Sequence, residues 1–164
     1  MAPSIRGFPL ILPLRSMPIE IISGPIHSGK TTHLTAWCAA QPPGTVAGLL
    51  QPARPAGREF VDVVTGDSFP LDAPPDTPET AVQRVGRYAF ATAAFEWAAD
   101  CLARAVAAPT VQVIVVDEIG PLELRGQGLD AAVRAVLAAG RADVRVVLVV
   151  REGLVEAVRA RYGS

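Results

Sequence analysis

The sequence contains only two cysteines among its 164 residues, and it has no excess of positive charge. Cys38 and Cys101 lie far apart, so there is no C-x-x-C motif and no Cys/His cluster with zinc-ligand spacing. This pattern predicts two separate buried side chains in a reducing cytoplasm rather than a disulfide or a metal site. The formal net charge of −1 excludes a general basic surface for nucleic acid or for an anionic membrane.

Long apolar runs are also missing. No run reaches the roughly 18 residues that a membrane-spanning helix needs. The apolar stretch at 8–14 contains two prolines and is not followed by an Ala-x-Ala cleavage site, unlike a signal peptide. We interpret residues 1–16 as a disordered leader, with Met17 as a hypothetical translation start and 17–164 as one domain. A hydrophobic content of 50% with 19% charged residues indicates a folded chain with its own core, expected in the cytoplasm.

Apolar, β-branched runs alternate with alanine-rich segments along the chain. This alternation predicts an α/β fold with a mostly parallel sheet flanked by helices. Gly66-Asp67 lies between two extended segments and predicts a β-hairpin with a two-residue turn around 58–71. The proline-rich residues 72–80 are expected to be irregular. The predicted strands are 18–23, 45–51, 111–116 and 144–150, and the predicted helices run from the loop after the first strand to Ala40 and over 92–107, 128–139 and 152–161.

Residues 24–31 read Gly-Pro-Ile-His-Ser-Gly-Lys-Thr, which is a complete G-x-x-x-x-G-K-[ST] phosphate-binding loop. The loop follows a short apolar strand and opens an alanine-rich helix, which is the context that the motif requires. Backbone N–H groups of such a loop bind a polyphosphate, and the helix dipole adds positive potential. The sequence therefore predicts nucleotide binding. The residues assigned to it are Gly24, Pro25, Ile26, His27, Ser28, Gly29, Lys30, Thr31 and Thr32.

Three side chains in this loop have separate predicted roles. Lys30 neutralises the outer phosphates, and the hydroxyl of Thr31 ligates Mg2+. Thr32 is a candidate donor to the innermost phosphate. His27, at the crown of the loop, is interpreted as a solvent-facing spacer in preference to a phosphate or base contact.

A second motif is Val-Ile-Val-Val-Asp-Glu at 113–118, an apolar strand that ends in two carboxylates. Phosphate loops in open α/β sheets lie at the carboxyl edge of the sheet, where such a strand also ends. We predict that Asp117 holds Mg2+ together with Thr31, and that Glu118 orients or deprotonates a water molecule. A glutamate beside the magnesium ligand favours hydrolysis of a nucleoside triphosphate over transfer, since no acceptor motif is evident.

Two arginines are candidates for a positive charge near the terminal phosphate. Arg87 is assigned as catalytic, and Arg151, after the end of a strand, is the other candidate. The alternative for each is a surface arginine paired with a carboxylate. Glu123 either supports the site or caps the next helix. Trp37 and Trp97 are interpreted as core residues rather than as platforms for a base.

The run Asp-Glu-Ile-Gly-Pro-Leu-Glu-Leu at 117–124 resembles the acidic motif of a family of small P-loop nucleoside-triphosphatases. This family includes the human cancer-related nucleoside-triphosphatase and its thermophile homologues. The resemblance covers most of 18–150 and implies a RecA-like domain that hydrolyses ATP, GTP and other nucleoside triphosphates slowly, with Mg2+. Further similarity lies at 85–88, at Phe95-Glu96 and, more loosely, at 48–50, Arg58 and 62–66.

The sequence also departs from that family's pattern. The family usually has Pro and Gly at the positions of Ile26 and His27, and residues 25–28 look a little like the loop of thymidine kinases. Members usually continue past the last helix, and many carry a histidine-containing turn where this chain has 151–153. A nucleoside or small-molecule kinase, and a nucleotide switch that acts through an unknown protein partner, remain alternatives. No Asn-Lys-x-Asp motif is present, so GTP specificity of the small-GTPase kind is not expected.

Overall fold

The computed structural model describes residues 17–25 and 29–163. The expected leader at 1–16 and the loop residues Ile26, His27 and Ser28 lie outside these ranges. The described elements are β1 (Ile19–Gly24), α1 (Lys30–Ala40), β2 (Val46–Leu50), β3 (Ala53–Arg54), β4 (Gly57–Asp62), β5 (Ser68–Pro70), a 3-10 turn (Glu79–Ala81), β6 (Val82–Val85), β7 (Tyr88–Ala91), α2 (Thr92–Ala107), β8 (Val113–Ile119), α3 (Pro121–Leu124), α4 (Asp130–Ala138), β9 (Arg145–Arg151) and α5 (Val155–Tyr162).

Seven of these strands form one sheet in the order β1-β9-β8-β2-β4-β3, and β5 pairs with β4. Strands β1, β9, β8 and β2 are parallel to one another. Strand β4 runs antiparallel to β2, β3 and β5. The predicted α/β class is therefore confirmed, with a parallel centre and an antiparallel extension at one edge. Among the described residues, no helix is both long and apolar enough to cross a membrane.

The central strands β8 and β9 contain continuous apolar runs, at 113–116 and 146–150, as expected for strands that are buried on both faces. Ile114 and Val116 of β8 belong to the larger core, which also contains buried residues of α2, α4 and α5. Val115, between them, faces the opposite side of the sheet, where Leu34 of α1 packs. The apolar run at 111–116 thus predicted the existence of the central strand, which begins two residues later and extends to Ile119. Helices pack on both of its faces.

The predicted tryptophan environments agree with the structure, whereas only one of the two cysteines is buried as predicted. Trp37 packs against the core on the α1 side, and Trp97 lies 5.8 Å from Phe69, measured between ring centroids. Cys38 and Cys101 are both free, the first half-buried and the second buried.

The β4–β5 hairpin exists, but the prediction of its two-residue turn was wrong. Phe60 pairs with Phe69 and Val61 with Ser68, so the connection is longer than Gly66-Asp67. Buried Asp62 organises this loop, since its Oδ1 accepts a hydrogen bond from the backbone N–H of Val64 at 2.8 Å. A loop organised by a buried carboxylate replaces the tight turn.

A second hairpin, β6–β7, was not predicted. Val85 pairs with Tyr88, so Gly86 and Arg87 form its two-residue turn, and Gly86 has φ 55°. Glycine with positive φ at the first turn position is typical of a type II′ turn. The hairpin was missed because its strands are short and partly polar.

The helices α4 and α5 meet at a buried ion-pair cluster centred on Asp130, which is 5% exposed. Its carboxylate accepts hydrogen bonds from Arg161 Nε at 2.6 Å, from Arg161 Nη2 at 2.8 Å and from the hydroxyl of Tyr162 at 2.7 Å. Arg134 Nε lies 3.2 Å away. The bonds from Arg161 hold the pKa of Asp130 at about 2, with help from Tyr162 and the nearby charges.

We predict that Asp130→Asn lowers the free energy of unfolding by about 2–3 kcal/mol at pH 7, because it removes a buried, hydrogen-bonded charge. A carboxylate whose pKa is lowered by folding stabilises the protein above the ordinary aspartate pKa of about 3.9. The difference between the two proteins should therefore shrink as the pH falls from about 4 to 2. Denaturant unfolding across this pH range measures it.

The matched control is Asp143→Asn, because Asp143 also pairs with an arginine, at 2.9 Å, but its side chain is 66% exposed. Its loss should cost less than about 1 kcal/mol. Equal effects of the two substitutions would contradict the role assigned to Asp130.

Candidate active site

The carboxyl edge of the parallel strands brings the two sequence motifs together. Strand β9 lies between β1, which leads into the phosphate loop, and β8, which ends in the acidic pair. In this register, Gly24 at the end of β1 is aligned with Arg151 at the end of β9. The loop and the carboxylates are thus one strand apart at the same edge, where open α/β sheets bind their ligands.

Lys30 is the first residue of α1 and folds back over the start of the loop. Its ammonium donates hydrogen bonds to the carbonyl oxygens of Gly24 at 2.7 Å and Pro25 at 2.8 Å. Gly29, with φ 80°, precedes the helix in a left-handed conformation that glycine adopts without strain. Exposed Thr32 lies in the first helical turn. The lysine charge is therefore held at the mouth of the loop.

Thr31 and Asp117, which are 86 positions apart in the sequence, are in direct contact. The hydroxyl of Thr31 donates a hydrogen bond to Asp117 Oδ2 at 2.9 Å. The same oxygen accepts the backbone N–H of Gln51, also at 2.9 Å. Asp117 is 1% exposed, and burial raises its pKa to about 6 despite these two hydrogen bonds. The contact joins β8 to the helix that follows the loop.

These two oxygens fit Mg2+. Octahedral ligands 2.0–2.1 Å from the ion and at right angles to each other lie about 2.9 Å apart, which matches the distance between Thr31 Oγ1 and Asp117 Oδ2. A cation there would also compensate the buried carboxylate. Within the part of the chain that the structure describes, no group of three or more His, Cys, Asp or Glu residues is placed to hold a metal. Phosphate and water oxygens would have to complete the shell, as is usual for Mg2+.

Glu118 has an unusual backbone conformation. Its φ is 64°, in the left-handed region that non-glycine residues rarely adopt. Val116 pairs with Leu148 and Ile119 with Val150, so Asp117 and Glu118 together oppose the single residue between Leu148 and Val150. This β-bulge leaves Asp117 buried and Glu118 half-exposed at the sheet edge. Strain of this kind is common at functional sites and costs on the order of 1–3 kcal/mol.

We predict that Glu118→Gly is more stable than Glu118→Ala by about 1 kcal/mol, because only glycine adopts a positive φ without strain. At Glu20, in β1, the order should be reversed, since glycine in an ordinary strand destabilises by about 0.5–1 kcal/mol relative to alanine. Denaturant unfolding of the four variants measures both differences. The same order of stability at both positions would remove the evidence for strain at Glu118.

Glu123 caps helices, which was one of its two predicted roles. Its carboxylate is buried and accepts the backbone N–H of Gly120 at 2.9 Å and of Leu129 at 3.0 Å. Burial raises the pKa of this carboxyl group. Glu123 therefore fixes the turn that follows the acidic pair.

Arg87 lies exposed on the turn of the β6–β7 hairpin. Its Nη2 donates a hydrogen bond to the hydroxyl of Tyr88 at 3.1 Å. The guanidinium of Arg58 lies 4.4 Å from the centroid of the same ring. The bond from Arg87 lowers the pKa of Tyr88, with smaller contributions from the charges of Arg58 and Arg151. Tyr88 at the hairpin tip thus lies among arginines from different elements, Arg87 of the turn, Arg58 of β4 and Arg151 of β9.

One residue of the site was missed by the sequence analysis. Gln51 follows β2, and its backbone N–H binds Asp117. A main-chain amide has no residue signature, so only the pairing of β2 with β8 identifies it.

Comparison with known families gives an independent result. The sequence model of the NTPase family matches residues 20–163. A nucleoside-triphosphatase, THEP1 of Methanopyrus kandleri, is 35% identical over 113 residues, which cover 66% of this chain and 58% of that protein. The chain thus matches less than two thirds of the length of this curated relative.

Two solved structures are similar to the fold. The solution structure of a human cancer-related nucleoside triphosphatase has a TM-score of 0.60 and 28% identity, covering 89% of this chain and 84% of that one. The crystal structure of THEP1 from Aquifex aeolicus has a TM-score of 0.63 and 24% identity, covering 88% and 86%, and this likeness concerns the fold alone. The resemblance predicted from the acidic motif is confirmed.

Proposed function

Because this chain belongs to the NTPase family, we propose that it is a magnesium-dependent nucleoside-triphosphatase. The observation that carries the proposal is the hydrogen bond between Thr31 and Asp117. It supports the proposal because it joins a hydroxyl of the phosphate loop to the carboxylate that precedes Glu118, and these are the two oxygens that we propose as Mg2+ ligands. The substrate is a nucleoside triphosphate, and the products are the diphosphate and inorganic phosphate.

The phosphate loop binds the polyphosphate through its backbone N–H groups, assigned to residues 24–32. Lys30 exchanges its two carbonyl contacts for phosphate oxygens, which are stronger acceptors because they are charged. Thr31 and Asp117 would hold Mg2+, and the bound ion would neutralise part of the phosphate charge.

Glu118 is the proposed general base. A water oxygen forms a bond to the terminal phosphorus, and the bond from that phosphorus to the bridging oxygen breaks. The diphosphate leaves with the electron pair, and the proton of the water goes to the carboxylate of Glu118. Its half-exposed position at the sheet edge supports this role, since a base must reach a water beside the substrate.

Arg87 is proposed as a catalytic cation at the terminal phosphate. Its position supports the role, because the hairpin carries it on an exposed tip and Tyr88 orients its guanidinium. An arginine in cis stabilises the charge that spreads over the phosphoryl oxygens in the transition state.

We propose broad use of bases, including ATP and GTP, because the sequence has no base-reading Asn-Lys-x-Asp motif. A cytoplasmic location is supported by the two free cysteines, which suit a reducing compartment. No nucleic-acid or membrane partner is proposed, in keeping with the net charge of −1.

The decisive experiment is a phosphate-release assay over the common nucleoside triphosphates, with Mg2+ and with EDTA. We expect release from several of them without any acceptor, and only with Mg2+. Phosphate transfer that requires a nucleoside acceptor would favour a kinase. Tight nucleotide binding with no release would favour a switch protein, and either result would overturn the proposal.

A further inference from the structure

Arg151 lies between the two halves of the candidate site. It ends β9, and in the parallel register its neighbour across the sheet is Gly24, the first residue of the phosphate loop. On the other side of β9, its Nη2 lies 3.5 Å from Glu118 Oε1. A side chain in this position borders both the start of the phosphate loop and the proposed base.

The contact with Glu118 is weak by its geometry. A distance of 3.5 Å is at the long limit of a hydrogen bond, and both side chains are 40% exposed. Exposed ion pairs of this kind contribute little to stability. A guanidinium has five N–H donors, and phosphate accepts two of them in a bidentate arrangement that a single long contact does not match.

Other arginines of the described chain differ from Arg151 in their surroundings. Arg141 donates to the backbone oxygens of Val106 at 3.0 Å and Ala108 at 2.8 Å, and also binds Asp143. Arg161 is engaged by the buried Asp130. These two side chains connect structural elements, whereas Arg151 is half-exposed at the ligand-binding edge.

We propose that Arg151 is a second catalytic arginine, which moves from Glu118 to the terminal phosphate when a nucleoside triphosphate binds. This inference rests on the proposed function. The exchange places a fixed positive charge on the phosphoryl oxygens and frees the carboxylate of Glu118 to accept the proton of the attacking water. A diphosphate lacks the third phosphoryl group that would take over the guanidinium, so the ion pair with Glu118 persists.

According to the proposal, Arg151 contacts the third phosphate, so its loss should affect triphosphate binding more than diphosphate binding. Binding measurements therefore test the proposal separately from turnover. Equilibrium affinities are measured by fluorescence titration with a diphosphate and with a non-hydrolysable triphosphate analogue. We expect Arg151→Ala to weaken binding of the triphosphate analogue by about tenfold and to change diphosphate affinity by less than about twofold. We expect kcat to fall by a factor of about 100 or more. Added guanidinium ion should restore part of the lost kcat of Arg151→Ala.

Arg145 gives a matched control. It lies at the opposite end of the same strand and also pairs with a glutamate, since its Nη1 is 3.4 Å from Glu20 Oε2. Arg145→Ala should leave affinities and kcat at wild-type values. If Arg151→Ala unfolds at a lower temperature than Arg145→Ala, the measurements are made with Arg151→Gln instead, which keeps a polar side chain of similar length.

The outcomes separate the two proposals. An Arg151 variant with wild-type kcat and an unchanged preference for triphosphate overturns the role of Arg151 and leaves hydrolysis standing. A wild-type protein that releases no phosphate overturns the proposed function, while the binding titration still reports on Arg151. Equal weakening of diphosphate and triphosphate binding also contradicts the inference, because it indicates a general effect on the loop.

Discussion

Replacing Lys30 with alanine is expected to abolish nucleotide binding, with affinity for a nucleoside triphosphate reduced at least about 100-fold. Lys30 is the only lysine in the sequence, and its ammonium already lies over the loop, bonded to Gly24 and Pro25. Each charge-assisted hydrogen bond to a phosphate oxygen contributes about 1.5–3 kcal/mol, and an ammonium makes more than one. Isothermal titration with a triphosphate in the presence of Mg2+ measures the loss.

The same substitution should leave the fold intact. The two carbonyl groups described as partners of this lysine belong to half-buried Gly24 and exposed Pro25, where we expect water to replace the ammonium. We expect the free energy of unfolding to change by less than about 1 kcal/mol. His33→Ala, on an exposed position of the same helix, is the control for general effects on α1. Normal binding by Lys30→Ala would remove the loop from the proposed site.

A single lysine also allows a chemical version of this test. A reagent that modifies lysine amines at high pH reaches only Lys30 and the chain's amino terminus. Bound nucleotide should protect Lys30 from modification, and mass spectrometry of the peptide that contains it reports the protection. Unchanged modification with saturating nucleotide would contradict a phosphate contact by this side chain.

The parts of the site that follow from local sequence were predicted, and the parts that depend on pairing were not. The phosphate loop and the apolar strand before Asp117 are continuous patterns, so their position at the sheet edge follows from the α/β alternation. The bulge at Glu118 depends on the register between β8 and β9, which no local pattern encodes. The contacts of Gln51 and Arg151 depend on strand order in the same way.

The hairpins show the limit of turn signals. Gly66-Asp67 has the composition of a tight turn, but the buried Asp62 uses its carboxylate to organise a longer loop. The turn at Gly86-Arg87 is the tight one. Both dipeptides, Gly66-Asp67 and Gly86-Arg87, contain a glycine with positive φ, so the glycine alone does not distinguish a tight turn from a longer loop. The difference lies in the side chain that precedes the turn and in what it contacts.

Glu118→Gln tests the chemical step, and we expect it to lower kcat by about 10²–10⁴ while nucleotide affinity stays within roughly threefold of wild type. The amide has the size of the carboxylate but does not accept a proton at neutral pH. Binding should persist because the hydrogen bonds described at the loop and at Asp117 are made by Lys30, Thr31 and Gln51, and none of these bonds involves Glu118. Single-turnover phosphate release, with nucleotide binding measured on the same sample, separates chemistry from affinity.

The backbone conformation at Glu118 should be the same after this substitution, so only the carboxylate is lost. Glutamine at φ 64° carries the same strain as glutamate, so the bulge and the position of Asp117 should be preserved. Glu118→Gly removes the carboxylate and also relieves the strain, and it should be as inactive as Glu118→Gln but more stable. If Glu118→Gln turns over at the wild-type rate, Glu118 is not the base. If Glu118→Gly is inactive and more stable than wild type, the strained conformation is retained for catalysis at the expense of stability.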